Sequence, residues 1–230
     1  MKLIEKYKLI FVHIPKTAGV TITKALSPCW FGNDDVSVKQ VRAKDIDDNI
    51  GVAHESAYET KLFFDSKQFD KDIGEWEDYH KFSSVRNPWE AEVSHWFFLV
   101  KRAWHNPYHI QASTTGFKET LVASEWRHHR FIHRCDNHPY PDSFSRFLFD
   151  DNTGELLVDD VLRKENLSED WAKFCKKVGI DSERIMDYPN YSKENSTTHL
   201  PYKHYYTEQW MIDFVAERHK DYIEYFNYDF

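Results

Sequence analysis

Three stretches of the chain gather residue types with chemistry to offer. The first is Pro15-Lys16-Thr17-Ala18-Gly19-Val20-Thr21, which follows an apolar run and precedes a segment of helical character. A loop between a strand and a helix start presents backbone N–H groups and the positive end of the helix dipole, and both attract anions. Lys16 adds a full positive charge, Thr17 and Thr21 add hydroxyl donors, and Gly19 permits close approach to the backbone. The segment lacks the G-x-x-x-x-G-K-[ST] spacing of a Walker A loop. On spacing alone, a plain strand–turn–helix with an incidental lysine stays open beside the anion-binding reading. The second stretch is Arg86-Asn87-Pro88, again a cation at the end of a short apolar segment. The third is the cluster His128, His129, His133, Cys135 and His138. His129 and His133 stand four apart, the spacing of a metal pair on one helix face. No second ligand pair follows, so the segment reads instead as cleft lining or solvated surface, with Arg127, Arg130 and Arg134 suited to an anionic group.

These groups need elements to carry them. The run from Leu9 to Ile14 (LIFVHI) is rich in β-formers and predicts a buried strand ended by Pro15. Val20 to Leu26 then predicts a helix. Phe82 to Val85 predicts a second strand, and Pro88 suits the first turn of the helix after it. In that helix Val93, Trp96, Phe97 and Val100 fall at i, i+3, i+4, i+7, one apolar face. Leu156 to Leu162 predicts a third strand. Ser168 is placed to cap the next helix, whose first turn carries Glu169 and Asp170 and whose inner face is Trp171, Phe174, Cys175 and Val178. Thr207 is placed to cap one long last helix with Met211, Phe214, Val215, Tyr222 and Phe226 inward. Strands alternating with helices predict an α/β fold, a P-loop-like parallel sheet flanked by helices. Such a sheet collects ligands at the carboxyl edge of its strands, where Lys16 and Arg86 would both lie.

The 230 residues suit one domain over 1–230, with about 100–155 reading as an acceptor-side insertion or lid. With 41% hydrophobic and 30% charged residues, the composition is that of a globular chain. The formal net charge of −8 opposes binding to bulk nucleic acid, which rests on Lys and Arg neutralising phosphates. A local basic pocket is compatible with that charge. Cys29, Cys135 and Cys175 are odd in number and widely spaced, so they predict neither a disulfide framework nor C-x-x-C redox chemistry. No apolar run reaches the roughly 18 residues of a membrane span. The apolar run in Met1 to Lys8 is too short and too interrupted for a signal peptide, so the chain is expected in the cytoplasm unless a membrane anchor has been trimmed from it.

HIPKTAGVTI resembles the 5'-phosphosulfate loop of sulfotransferases that use 3'-phosphoadenosine 5'-phosphosulfate (PAPS), particularly the branch that includes carbohydrate sulfotransferases. The stretch from Phe82 to Ser94 is similar to that family's 3'-phosphate motif, a strand-end Arg with a Ser eight residues later; Arg86 and Ser94 match. Ala91 departs from it, since many members carry Arg there. Arg163 to Trp171, and Tyr205-Tyr206-Thr207 through to Phe230, are similar to the family as well, and the likeness is thinnest over about 100–155.

The resemblance implies a sulfotransferase fold and in-line transfer of a sulfuryl group from PAPS to an acceptor hydroxyl, on a glycan, leaving PAP and requiring no metal. Residues 15 to 21 would hold the 5' end of the cofactor, and Arg86 and Ser94 the 3'-phosphate, an arrangement that would separate PAPS from ATP. The acceptor must lose a proton, and a histidine is the natural base near neutral pH. Family members carry a His between the two phosphate motifs, and His54 stands there, in Gly51-Val52-Ala53-His54-Glu55-Ser56-Ala57, after a short predicted strand. Glu55 is the alternative base, or orients His54. Lys16 would stabilise the charge on the departing phosphate oxygen. His13 reads as packing in the sheet. His95 and His105 read as structural or acceptor-facing. Aromatics are 17% of the chain, and Trp89, Trp96, Trp104, Trp126 and Tyr140 are divided between core and sugar stacking, most to the core. Two other readings compete: a P-loop-like kinase for nucleotides or small molecules, and a non-catalytic module that binds PAPS or glycan.

Overall fold

The computed structural model of the chain describes residues 2–26, 38–40, 54–66, 73–101, 114–123, 143–180, 187 and 199–230. Its elements in chain order are β1 (Lys2–Ile4), β2 (Leu9–Val12), α1 (Gly19–Ala25), β3 (Val38–Gln40), α2 (Ala57–Ser66), β4 (His80–Val85), α3 (Pro88–Lys101), α4 (Phe117–Ala123), β5 (Asp160–Arg163), α5 (Leu167–Lys177), α6 (Gln209–Arg218) and α7 (Lys220–Phe226). The chain divides into two compact units, Met1–Val85 with Arg146–Asn195, and Arg86–Ser145 with Ser196–Phe230. The strand expected at Val52-Ala53, the histidine cluster 128–138 with its arginines, and Cys29, Trp104, His105, Trp126 and Tyr140 lie outside the described residues.

The first unit is α/β. Its five-stranded sheet runs β3-β1-β2-β4-β5. β2, β4 and β5 are parallel, whereas β1 pairs antiparallel with both β2 and β3, so the sheet is mixed rather than wholly parallel as the sequence predicted. Chain length explains the difference. Only Glu5 to Lys8 join β1 to β2, as one 3-10 turn closed by Lys8 in the left-handed region (φ 50°), and a parallel crossover needs about a dozen residues. All four residues of β2 are buried, as befits a central strand covered on both faces. Phe11 and Phe82 stack across β2 and β4, and Phe82 meets Phe174 of α5 at 4.3 Å. Trp171, Phe174 and Cys175 of α5 join that core with Val178 half-buried beside them, the inner face expected from the sequence. Burial pushes the Cys175 thiol up to about 12. The third strand is shorter than predicted: Leu156 makes an isolated bridge to Phe149, and the ladder starts at Asp160. Ser168 sits inside the first turn of α5 and does not cap it; Asp170 Oδ2 reaches back to accept from Arg163 N–H (2.8 Å).

The second unit is helical around an aromatic core of Trp89, Val93, Phe117, Leu121, Tyr206, Met211 and Val215. Asn87 opens α3: its Oδ1 accepts from Glu90 N–H, and Pro88 takes the first helical position. The buried positions of α3 include Trp89, Ala91, Glu92, Val93, Ser94, His95 and Leu99, while Trp96, Phe97 and Val100 are half-buried. Polar residues therefore occupy places that an apolar count assigns to solvent. Glu92 is buried because Arg218 Nη1 (2.9 Å) and His219 Nε2 (3.3 Å) both donate to its Oε1. His219, fully buried between α6 and α7, also accepts from Phe144 N–H through Nδ1. It ends α6, so the one long helix predicted here is two. Met211, Val215, Tyr222 and Phe226 are buried, Phe214 is half-buried, and Glu208 rather than Thr207 holds the N-cap position.

Candidate active site

The carboxyl end of β2 runs through His13 and Ile14 into the 15–19 loop. Two of the four non-glycine residues with positive φ among those described lie in it, Lys16 (66°) and Ala18 (74°). A left-handed residue with a side chain costs on the order of 1–2 kcal/mol, so something must hold this turn. Thr17 does: it is fully buried, its Oγ1 donates to Ile14 O (2.9 Å), and it lies 2.9 Å from Ser84 Oγ on β4. The Thr17 hydroxyl thus serves the fold, tying the loop to the carboxyl end of the neighbouring parallel strand. Lys16 is half-buried, Val20 is exposed and Thr21 is buried on α1.

Gly19 has a different role from the backbone approach expected of it. A Cβ there would lie 1.9 Å from Cδ2 and 2.0 Å from Nε2 of His13. What the missing side chain admits is the His13 imidazole.

His54 is brought to this same place from 38 residues beyond Lys16. Its Nδ1–H donates to His13 O (2.8 Å), and its ring centroid stands 4.3 Å from that of His13. With Nδ1 committed as a donor, neutral His54 carries its lone pair on Nε2, the form a proton acceptor requires. Burial, together with the positive charges of Lys2 and Lys16, lowers His54 from 6.5 to about 4, partly offset by the bond to His13 O. Burial first, then the same cations and His54, holds His13 well below its usual value. Lys2 and Lys16 thus set positive charge beside this pair in a chain of net charge −8. Lys2 was not singled out by the sequence. Its Nζ donates to Thr23 Oγ1 (2.6 Å), and burial lowers its ammonium to about 8.

Glu55 is 5% exposed and adjoins the start of α2. Ser56 and Glu59 form a reciprocal cap there: Ser56 N–H donates to Glu59 Oε2 (2.8 Å) and Glu59 N–H to Ser56 Oγ (3.0 Å). That S-x-x-E signature was legible in the sequence and fixes the chain directly after His54.

Arg86 and Ser94 belong to the second unit, and both are buried. The Arg86 backbone is held by Tyr222, whose hydroxyl accepts from Arg86 N–H (3.0 Å) and donates to Arg86 O (3.2 Å). Its guanidinium Nε donates to Glu90 Oε2 (3.0 Å), one turn along. Ala91 is fully buried, so the arginine many sulfotransferases carry there would have to be buried too. His95 is buried, and Trp89 and Trp96 are parts of the aromatic core, with Trp89 Nε1 donating to Ile212 O. No group of three or more His, Cys, Asp or Glu among the described residues is arranged to hold a metal ion. No helix among them is long and apolar enough to cross a membrane.

Comparison with protein-family models, with curated proteins and with solved structures found no match to this chain.

Proposed function

We propose that the chain is a PAPS-dependent sulfotransferase that sulfates an acceptor hydroxyl, on a carbohydrate. The observation that carries this reading is the hydrogen bond from His54 to His13 O, three residues before Lys16. It sets a neutral imidazole with a lone pair on Nε2 beside a pinned, cationic loop. Lys16 takes the 5'-phosphosulfate of the donor. Arg86, with Ser94, takes the 3'-phosphate, and Glu90 steadies the guanidinium until it does.

In the reaction the acceptor oxygen attacks sulfur, the bond from sulfur to the bridging phosphate oxygen breaks, and PAP departs. His54 Nε2 takes the acceptor proton, and Lys16 offsets the charge on the leaving oxygen. In-line group transfer of this kind draws most of its acceleration from positioning and electrostatics. The cations around the histidine pair also couple donor binding to basicity: an anion brought to Lys16 opposes their field and raises the affinity of His54 for a proton.

The reading is tested with sulfur-labelled PAPS and a panel of oligosaccharides, small alcohols and phenols. Acceptor-dependent transfer of label is expected. PAP is expected to raise the melting temperature through ligand linkage, and ATP far less. Equal stabilisation by AMP, ATP and PAP would remove the dedicated 3'-phosphate site and with it this reading.

A further inference from the structure

His13 is 8% exposed, and its Nδ1 is buried with no hydrogen-bond partner among the described residues. A phenylalanine ring would fill the same wedge without leaving a buried nitrogen unpaired, a deficit that usually destabilises a fold. The ring lies between the candidate base and the loop. Phe11 stacks behind it at 5.5 Å, the His54 ring is 4.3 Å away, and its Cδ2–Nε2 edge fills the space a side chain on Gly19 would take. Nδ1 is the ring nitrogen sealed off without a partner, so the tautomer that leaves no N–H orphaned there carries its proton on Nε2, on the edge turned toward Gly19. After burial, the lysines Lys2 and Lys16 are among the groups that keep the ring neutral.

We propose that His13 is a binding residue for the anionic group held by the Lys16 loop, donating an Nε2–H hydrogen bond to it. The proposal rests on the sulfotransferase reading only in naming that group as the phosphosulfate of PAPS.

Two variants test it. His13→Phe keeps a ring in the wedge and removes the donor, and His13→Gln keeps a donor. Melting temperature and affinity for PAPS and for inorganic pyrophosphate are measured for each and for the wild type. His13→Phe is expected to melt no lower than wild type and to bind both ligands about 10- to 100-fold more weakly, the range for a hydrogen bond to a charged group. His13→Gln is expected to recover part of the loss. A His13→Phe protein that binds both ligands as the wild type does overturns the proposal. Should His13→Phe fail to fold, nitrogen-15 spectra of the histidines in the wild type decide: the His13 Nε2 signal is expected to move on adding pyrophosphate, and an unmoved signal overturns the assignment. A wild type that binds pyrophosphate through His13 but not PAPS removes the cofactor reading and leaves His13 standing. A wild type that binds neither removes both.

Discussion

For His54 as the proposed base, two requirements pull against each other. A base must be unprotonated at working pH, yet basic enough to take a proton. Burial and the cations Lys2 and Lys16 secure the first by lowering the ring to about 4, and they weaken the second. In the proposed reaction the negative charge of a bound donor would relieve that conflict, which gives a measurable signature. The acid limb of kcat/KM, set by free enzyme, is expected at about pH 4, well below the 6.5 of an ordinary histidine. The limb of kcat, set by the complex, is expected at higher pH. Coincident limbs near 6.5 would mean that the field around His54 is not felt in the working enzyme. Arg86 is the second residue on which the reading turns. Arg86→Ala is expected to weaken PAP binding by about 2–4 kcal/mol, the loss of a charged hydrogen-bonded partner. An unchanged dissociation constant in a folded protein would move the 3'-phosphate site elsewhere.

Among the elements, the turn between β2 and α1 is held in a costly shape by Thr17 and made possible by Gly19. Gly19→Ala is expected to destabilise by about 1–3 kcal/mol through overpacking against His13. In a double-mutant cycle with His13→Ala most of that penalty should vanish, because the clash has one partner; additive effects would contradict the wedge. How much of this was legible in the sequence follows from range. The strands at Leu9 and Phe82, the helix opened by Asn87-Pro88 and the inner face of α5 are local patterns of apolar spacing and capping, and they read correctly. β1 was missed because three residues carry no period. The buried face of α3 was misjudged because Glu92 hides by pairing with Arg218 and His219, 126 and 127 positions away. At the site, Lys16, His54 and Gly19 were legible as residues, but the packing of His13 over Gly19 and the Thr17–Ser84 tie depend on how β2 and β4 pair, which no spacing states.

For the molecule as a whole, desolvated neutral histidines, His13 buried and His54 half-buried, make stability depend on pH with a definite sign. His54 binds a proton at about 4 when folded and near 6.5 when unfolded, so the unfolded chain gains the proton first as pH falls. Stability is therefore full above about pH 6.5 and lost toward pH 4, with His54 contributing on the order of 3 kcal/mol. His13 acts in the same direction. His54→Gln should flatten that fall in chemical denaturation, and an unaltered acid slope would show that folding does not lower the proton affinity of His54. Lys16 belongs to the first compact unit and Arg86 to the second, and in the proposed reaction proton transfer and 3'-phosphate affinity are probed by separate substitutions, at His54 and at Arg86. The most direct measurement uses that separation: transfer of labelled sulfate from PAPS to the acceptor by wild type and His54→Ala, with PAP affinity measured in parallel and Glu55→Gln as the companion variant. His54→Ala is expected to lower kcat by about 10²- to 10⁴-fold, the usual contribution of a general base, with PAP affinity nearly unchanged and Glu55→Gln still active. Near wild-type turnover by His54→Ala, with Glu55→Gln dead, would give the proton to the carboxylate and contradict the assignment.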